Sequence, residues 1–172
     1  MSHPTSTTPR AFVALGSNLG DSSRILRAAM EQLQRLSAAP LLKSSLWQTS
    51  PVDCPPGSPP FVNAVVALIP GRRETPEGLL AKLQAIETDF GRRPKVILNE
   101  PRPLDLDLIA FGQETRSTPE LTLPHPRAHL RRFVLQPLSE IAPDYILPGQ
   151  TRTVVDWLEL LSSNETLVRL ES

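Results

Sequence analysis

The sequence predicts an α/β (α+β) fold in which short strands and amphipathic helices alternate along one chain. Three observations carry that prediction. Apolar runs of strand length, one of them rich in valine, fall near 10–16, 41–49, 61–69 and 105–112. Two intervening segments space their apolar residues at helical intervals. Glycine, proline, serine and aspartate punctuate the boundaries between these runs.

RAFVALG (10–16) is the first strand and closes on Gly16. SNLGDSS follows, where Asp21 or a nearby serine caps a helix over roughly 22–37. Ile25, Leu26, Ala29, Met30, Leu33 and Leu36 share one face of it. Leu41 to Thr49 reads as a second strand, PVDCPPGSPP (51–60) as a stiff proline loop, and FVNAVVALI (61–69) as a third strand. Thr75 with Pro76 opens a helix to about Phe90, with Leu79, Leu80, Leu83 and Ile86 inward and Gly91 as its stop. GRRPKVILNEPRP (91–103) lacks periodicity and is a basic loop. DLDLIAFG is the fourth strand, a short strand lies around LTLP, and helices over about Phe133–Ile141 and roughly 153–162 finish the chain. The order β-α-β-β-α-β with a helical C-terminal addition is a ferredoxin-like, split βαβ arrangement, with helices on one face of the sheet.

Residues 1–9 read as an irregular tail and 10–172 as a single domain, long enough for a real core. Hydrophobic residues make up 40% of the chain, which is globular composition. Eighteen Lys and Arg balance eighteen Asp and Glu, arguing against a general nucleic-acid or membrane-surface binder. Cys54 is the only cysteine, which excludes an intrachain disulfide and a cysteine-based zinc site. Neither a membrane span nor a signal peptide is evident, so a cytoplasmic protein is the expectation, and a monomer is expected as well.

RPLDLDLIAFG (102–112) sets two acids in an apolar run. In a strand, Leu104, Leu106 and Leu108 share one face, and Asp105 and Asp107 share the other. Two carboxylates that close repel unless a cation lies between them, and Mg²⁺ prefers such hard oxygen ligands. A half-exposed acidic edge strand satisfies the same spacing, so the neighbours decide. Arg102, Arg92, Arg93 and Lys95 lie just upstream, and His125, Arg127, His129, Arg131 and Arg132 follow. Acids flanked by that many cations suggest a metal bridged to phosphates, with arginines on the remaining oxygens. If helices cover one face, the acids look out over the other, which is left for ligands.

Phe61 and Asn63 share strand parity and form a platform for a flat heterocycle, although a core Phe and an edge Asn fit the same pattern. No G-x-x-x-x-G-K-[ST] cradle occurs, so phosphate handling rests on metal and arginines. His129 reads as a solvated or helix-packing histidine, Trp47 and Trp157 as core or packing residues, Glu140 as a cap or pair near the C-terminal helices, and Arg24, Arg27 and Arg35 as a solvated helix face. A ferredoxin-like binding module and a palm-like nucleotidyl transferase are the alternative classes. The first leaves the paired acids unexplained, and the second leaves Phe61, Asn63 and Phe133 unexplained.

In order and spacing, A-L-G-S-N-L-G, F-V-N-A-V, I-E-x-x-x-G-R, P-R-P-L-D-L-D, L-P-H-P-R and R-R-F-V-L-x-P-L-x-E-I-A-P resemble the 6-hydroxymethyl-7,8-dihydropterin pyrophosphokinase family over about residues 11–148. The resemblance implies a ferredoxin-like α/β/α core and transfer of the terminal diphosphate of ATP to a pterin hydroxymethyl group, releasing AMP, in folate biosynthesis. It implies two Mg²⁺ ions on Asp105 and Asp107, and a pterin pocket of Thr49, Ser50, Val52, Phe61, Asn63 and Phe133. It also implies ATP contacts at Gln84, Glu87, Arg92, Lys95, Arg102, His125 and Arg131, with Arg92 and Arg102 on a closing loop and counted with the two acids as catalytic. Three places depart from the common pattern. Asn99-Glu100 stands where many members carry tryptophan, Pro126 where many carry an aromatic residue, although proline is also associated with the family, and Arg93-Pro94 stiffens a loop expected to move.

Overall fold

The computed structural model describes residues 9–49, 56–57, 59–91, 103–161 and 166–170. In chain order its elements are β1 (Ala11–Ser17), α1 (Ser22–Gln34), β2 (Leu42–Lys43), β3 (Leu46–Thr49), β4 (Phe61–Leu68), α2 (Pro76–Asp89), β5 (Asp105–Phe111), β6 (Arg116–Ser117), β7 (Thr122–Leu123), a 3₁₀ turn (Ala128–Leu130), α3 (Arg132–Ile141), α4 (Val154–Leu160) and β8 (Leu167–Leu170). Among the described residues the main sheet has six strands in the order β5-β1-β4-β3-β8, with β2 also on β4. Every pairing in it is antiparallel.

Local chemistry sets the element ends. Asp21 caps α1 by accepting from the Arg24 amide, and Thr75 caps α2 by accepting from Gly78, with Pro76 in the first turn. α1 stops at Gln34, short of the expected residue 37, because the next three amides tighten onto carbonyls three residues back. Gly91, at φ 93°, ends α2 in a conformation that glycine adopts without strain.

The segment 41–49 is two strands rather than one. Pairing runs Lys43↔Val66 but Trp47↔Asn63, so one extra residue is accommodated at Ser44–Ser45. β6, the 3₁₀ turn and β8 carried no signal in the sequence, since two to four residues are too few to show a period.

Helices on one face only is the expectation that fails. On the first face, α1 and α2 bury Leu26, Leu33, Leu79 and Leu83 against Val13, Leu15, Val66 and Leu106. On the second, Val134, Leu135 and Leu138 of α3 and Val154 of α4 cover Phe12, Val65, Ala67, Ile109 and Ala110. α3 has its own apolar stripe and must bury it, and each leucine fully buried there contributes roughly 1.5–3 kcal/mol. A register shift between Phe12 and Val13 in the β1–β5 pairing puts both Ile109 and Ala110 on this second face. Tyr145 stacks on Phe12 with ring centroids 4.6 Å apart, and burial pushes its hydroxyl pKa up to about 12.

Candidate active site

The second face changes character along the strands. Phe12 and the residues level with it lie beneath α3. Two and four residues further along β1 come Ala14 and Gly16. Gly16 pairs with Asn63 on one side and Asp105 on the other, and Ala14 pairs with Val65 and Asp107. Paired residues on neighbouring strands point to the same face, so Asn63 and Asp105 flank a position without a side chain. A Cβ at Gly16 would lie 3.2 Å from Asn63 Oδ1 and 4.0 Å from the Phe61 ring. The result is a strip floored by backbone, with the acids on one bank and Phe61–Asn63 on the other.

The Phe61–Asn63 bank is built from the β3–β4 pairing. Thr49 pairs with Phe61, and its buried hydroxyl accepts from Asn63 Nδ2 at 3.0 Å. Asn63 is 5% exposed. With the amide nitrogen used, its oxygen is turned toward the Gly16 strip. Phe61 is half-buried at the strand's start.

The acidic bank follows the predicted parity. Leu104, Leu106 and Leu108 enter the first-face core, and Asp105 and Asp107 are half-buried on the opposite face. β5 is an edge strand, and the Leu106 amide between the two acids donates at 2.8 Å to Glu87, a buried carboxylate on α2. That bond ties β5 to α2, while strand alternation puts both aspartates on one face. No group of three or more His, Cys, Asp or Glu that could hold a metal lies among the described residues. Two carboxylates on one face still suit Mg²⁺, which takes one or two protein carboxylates and completes its shell with phosphate oxygens and water.

A cationic wall follows β5. The His125 amide donates to the Ile109 carbonyl at 2.8 Å, which hangs this segment beside the acids. His125 Nδ1 accepts from the Arg127 amide at 3.1 Å, so the neutral ring carries its proton on Nε2 and offers it as a donor. Burial holds the His125 pKa below its ordinary 6.5. The Arg131 and Arg127 guanidiniums add to that effect, and Asp105 opposes it. Arg131 also sits over the Phe133 ring, 5.5 Å from its centroid.

The structure thus groups Asp105, Asp107, His125, Arg131 and Phe133 on one side, and Thr49, Phe61 and Asn63 on the other. Gln84 is not among them: it is exposed on α2, which packs on the opposite face of the sheet, and Glu87 reaches β5 from that same side. Ser50, Val52, Arg92, Lys95 and Arg102 lie outside the described residues. His129 packs on Trp157, ring centroids 4.7 Å apart, as expected of a packing residue. From the sequence Gly16 is a strand end in a glycine-bearing motif, and Arg127 is one of several cations. Glu140 lies on α3, and its bonds among the described residues run to the sheet. Its carboxylate accepts from the Ser45 amide at 3.0 Å, the Ser45 hydroxyl at 2.7 Å and the Trp47 indole at 2.7 Å.

Comparison with known proteins agrees on one group. A family model described as 7,8-dihydro-6-hydroxymethylpterin-pyrophosphokinase matches residues 12–143. The chain is 41% identical to the 2-amino-4-hydroxy-6-hydroxymethyldihydropteridine pyrophosphokinase of Pseudomonas aeruginosa, over 81% of this chain and 84% of that one. It is 38% identical to the Synechocystis protein of the same name, over 87% of this chain and 74% of that one. A solved Plasmodium falciparum HPPK-DHPS superposes with a TM-score of 0.69 at 14% identity, covering 89% of this chain. The present chain spans only 44% of that longer molecule, and at this identity the likeness concerns the fold.

Proposed function

The chain belongs to the 7,8-dihydro-6-hydroxymethylpterin-pyrophosphokinase family, and from that premise we propose which of its residues perform the transfer. The enzyme moves the pyrophosphoryl group of ATP to hydroxymethyldihydropterin, a step of folate biosynthesis.

Thr49, Phe61, Asn63 and Phe133, with Ser50 and Val52 beyond the described residues, hold the pterin. Phe61 and Phe133 stack on the ring, and the Asn63 oxygen, freed by the Thr49 bond, accepts from its polar edge. His125 and Arg131 contact ATP together with Arg92, Lys95 and Arg102, and Gln84 and Glu87 on the α2 side join them only where the nucleotide passes the β5 edge. Asp105 and Asp107 would hold two Mg²⁺ ions, which would neutralise charge on the triphosphate oxygens. The pterin hydroxymethyl oxygen attacks the β-phosphorus. A new P–O bond forms, the bond to the α–β bridging oxygen breaks, AMP leaves with that oxygen, and the hydroxyl proton passes to solvent. The protein's share is positioning and charge compensation. Neutral His125 donates through Nε2 toward phosphate oxygen, while Arg131 and the loop cations Arg92 and Arg102 oppose the developing negative charge.

The observation that carries this reading is Gly16 between Asn63 and Asp105. Among the described residues, only there do an amide suited to a heterocycle and an acid suited to a metal share a face with no side chain between them. The antiparallel order β5-β1-β4-β3 is the one two interleaved βαβ units produce, which supports a ferredoxin-like core. A zero net charge argues against general nucleic-acid binding, and we take 10–172 as one monomeric, cytoplasmic domain; no helix among the described residues is long and apolar enough to cross a membrane.

Isothermal titration tests the assignment. A non-hydrolysable ATP analogue with Mg²⁺ binds the wild type, and dihydropterin then binds the complex. Asp105→Ala loses the Mg²⁺ dependence of nucleotide binding, and Asn63→Ala loses pterin binding. Unchanged titrations in both variants overturn the residue roles.

A further inference from the structure

We propose that Glu140 is a positioning residue for the pterin pocket, acting through the β-bulge at Ser44–Ser45. The inference rests on the pterin assignment above and deepens it.

The bulge inserts one extra residue into the strand that runs alongside β4, and an extra residue loses ladder partners. The Ser44 hydroxyl repairs one side, accepting from the Val65 amide at 2.9 Å. The Ser45 amide is satisfied from outside the sheet by Glu140. The same carboxylate takes the Ser45 hydroxyl and the Trp47 indole N–H, so three donors from the β2–β3 strand converge on one side chain 93 to 95 residues away. Three acceptor sites used at 2.7–3.0 Å by an ionised group make a directional clamp rather than a surface ion pair.

What the clamp holds is the far end of α3. Phe133 and Glu140 are seven residues apart in that helix, so they lie on one face, separated by about 10 Å along the axis. Glu140 fastens one end to β3, and Phe133 stands at the other end, beside the site. Trp47, held by Glu140, pairs with Asn63, and Thr49, two residues on, orients the Asn63 amide. Glu140 therefore sets the spacing between the two walls that grip the pterin, Phe133 on α3 and Thr49–Asn63 on the sheet. It touches neither substrate nor the acids.

Five proteins are compared: wild type, Glu140→Ala, Glu140→Gln, Trp47→Phe and Asn63→Ala. The dissociation constants of dihydropterin and of a non-hydrolysable ATP analogue with Mg²⁺ are measured on each. Glu140→Ala is expected to weaken pterin binding about tenfold, the scale a wall misplaced by a fraction of an ångström produces. Its nucleotide affinity should stay within about twofold, since the acids and His125 hang from β5. Glu140→Gln keeps an acceptor oxygen and falls between. Trp47→Phe keeps a ring, loses one donor, and shifts pterin affinity the same way by less. A general loss of stability would lower both affinities together, so equal losses overturn the proposal, as does unchanged pterin binding in folded Glu140→Ala. If Glu140→Ala does not fold, the Trp47→Phe split decides by the same criterion. Asn63→Ala separates the two levels. If it leaves pterin binding intact, the pocket assignment fails. If it abolishes binding while Glu140→Ala changes nothing, only the clamp fails.

Discussion

The two ends of one sheet face make opposite use of the same strands. At one end Phe12, Val65, Ala67, Ile109 and Ala110 lie under α3 and α4 and are nearly fully buried. At the other, Gly16, Asn63, Asp105 and Asp107 point the same way from the same three strands, only two to four residues distant. Strand alternation decides which face a residue joins and says nothing about what covers it. The cover is decided by where the apolar stripe of α3 ends, at Phe133 and Arg131. Beyond that point the sheet trades packing for polar chemistry, and each end should answer to a different assay.

The largest effect separates the ends outright. Asp107→Ala should cut turnover by about a thousandfold or more, by removing charge compensation at the phosphates, and leave the unfolding midpoint close to wild type. Ile109→Ala, two residues along the same strand, should do the reverse. A large-to-small change at a site 1% exposed costs about 2–4 kcal/mol in a denaturant titration, with KM values little altered. A folded but inactive Ile109→Ala, or an Asp107→Ala that unfolds, would break the division between the ends.

Gly16→Ala sharpens the boundary itself. The added methyl meets Asn63 Oδ1 at 3.2 Å, and Asn63 can yield only by loosening its bond to Thr49. Pterin affinity should fall about tenfold, while stability changes by less than about 1.5 kcal/mol. An Asp105-dependent nucleotide titration on the same variant should be unmoved. If it weakens in parallel, the strip is too narrow for its two banks to act separately.

How far this division could be read beforehand differs by element. The leucine–aspartate alternation at 104–108 disclosed both faces of β5, because period two needs only a few residues to show. Caps at Asp21 and Thr75 were readable because they act within three residues. The cover over Phe12 and Ile109 was not, since the apolar stripe of α3 does not name the surface it packs on. Phe61 and Asn63 gave an ambiguous pattern until the β3–β4 register put Thr49 beside them. The partners of Glu140 were unreadable for a stronger reason: its donors, one of them a backbone amide left over by a one-residue bulge, lie 93 to 95 positions upstream, and no local window contains both.

The smallest effect tests whether the polar end is as enclosed as this contrast requires. His125 lies where the two ends meet: its amide is bonded to Ile109 and its ring faces Asp105. Burial favours the neutral ring, as do Arg131 and Arg127, so it should titrate below 6.5, read from its imidazole proton shifts against pH. His3 and His129 are the other histidines, and His125→Gln identifies the signal. The sign follows from linkage. As pH falls through 6.5 the unfolded chain takes its proton before the folded one does, so the stability contributed by neutral His125 is complete above 6.5 and is lost as pH drops through the folded value. Protonation also sets an Nδ1–H against the Arg127 amide and breaks the bond that orients the ring. Arg131→Ala should raise the titration point, but not restore 6.5, because burial is the larger cause. A point at or above 6.5 in the wild type would mean that the ring stands in water, and that the enclosed character of the α3 end stops short of the acids.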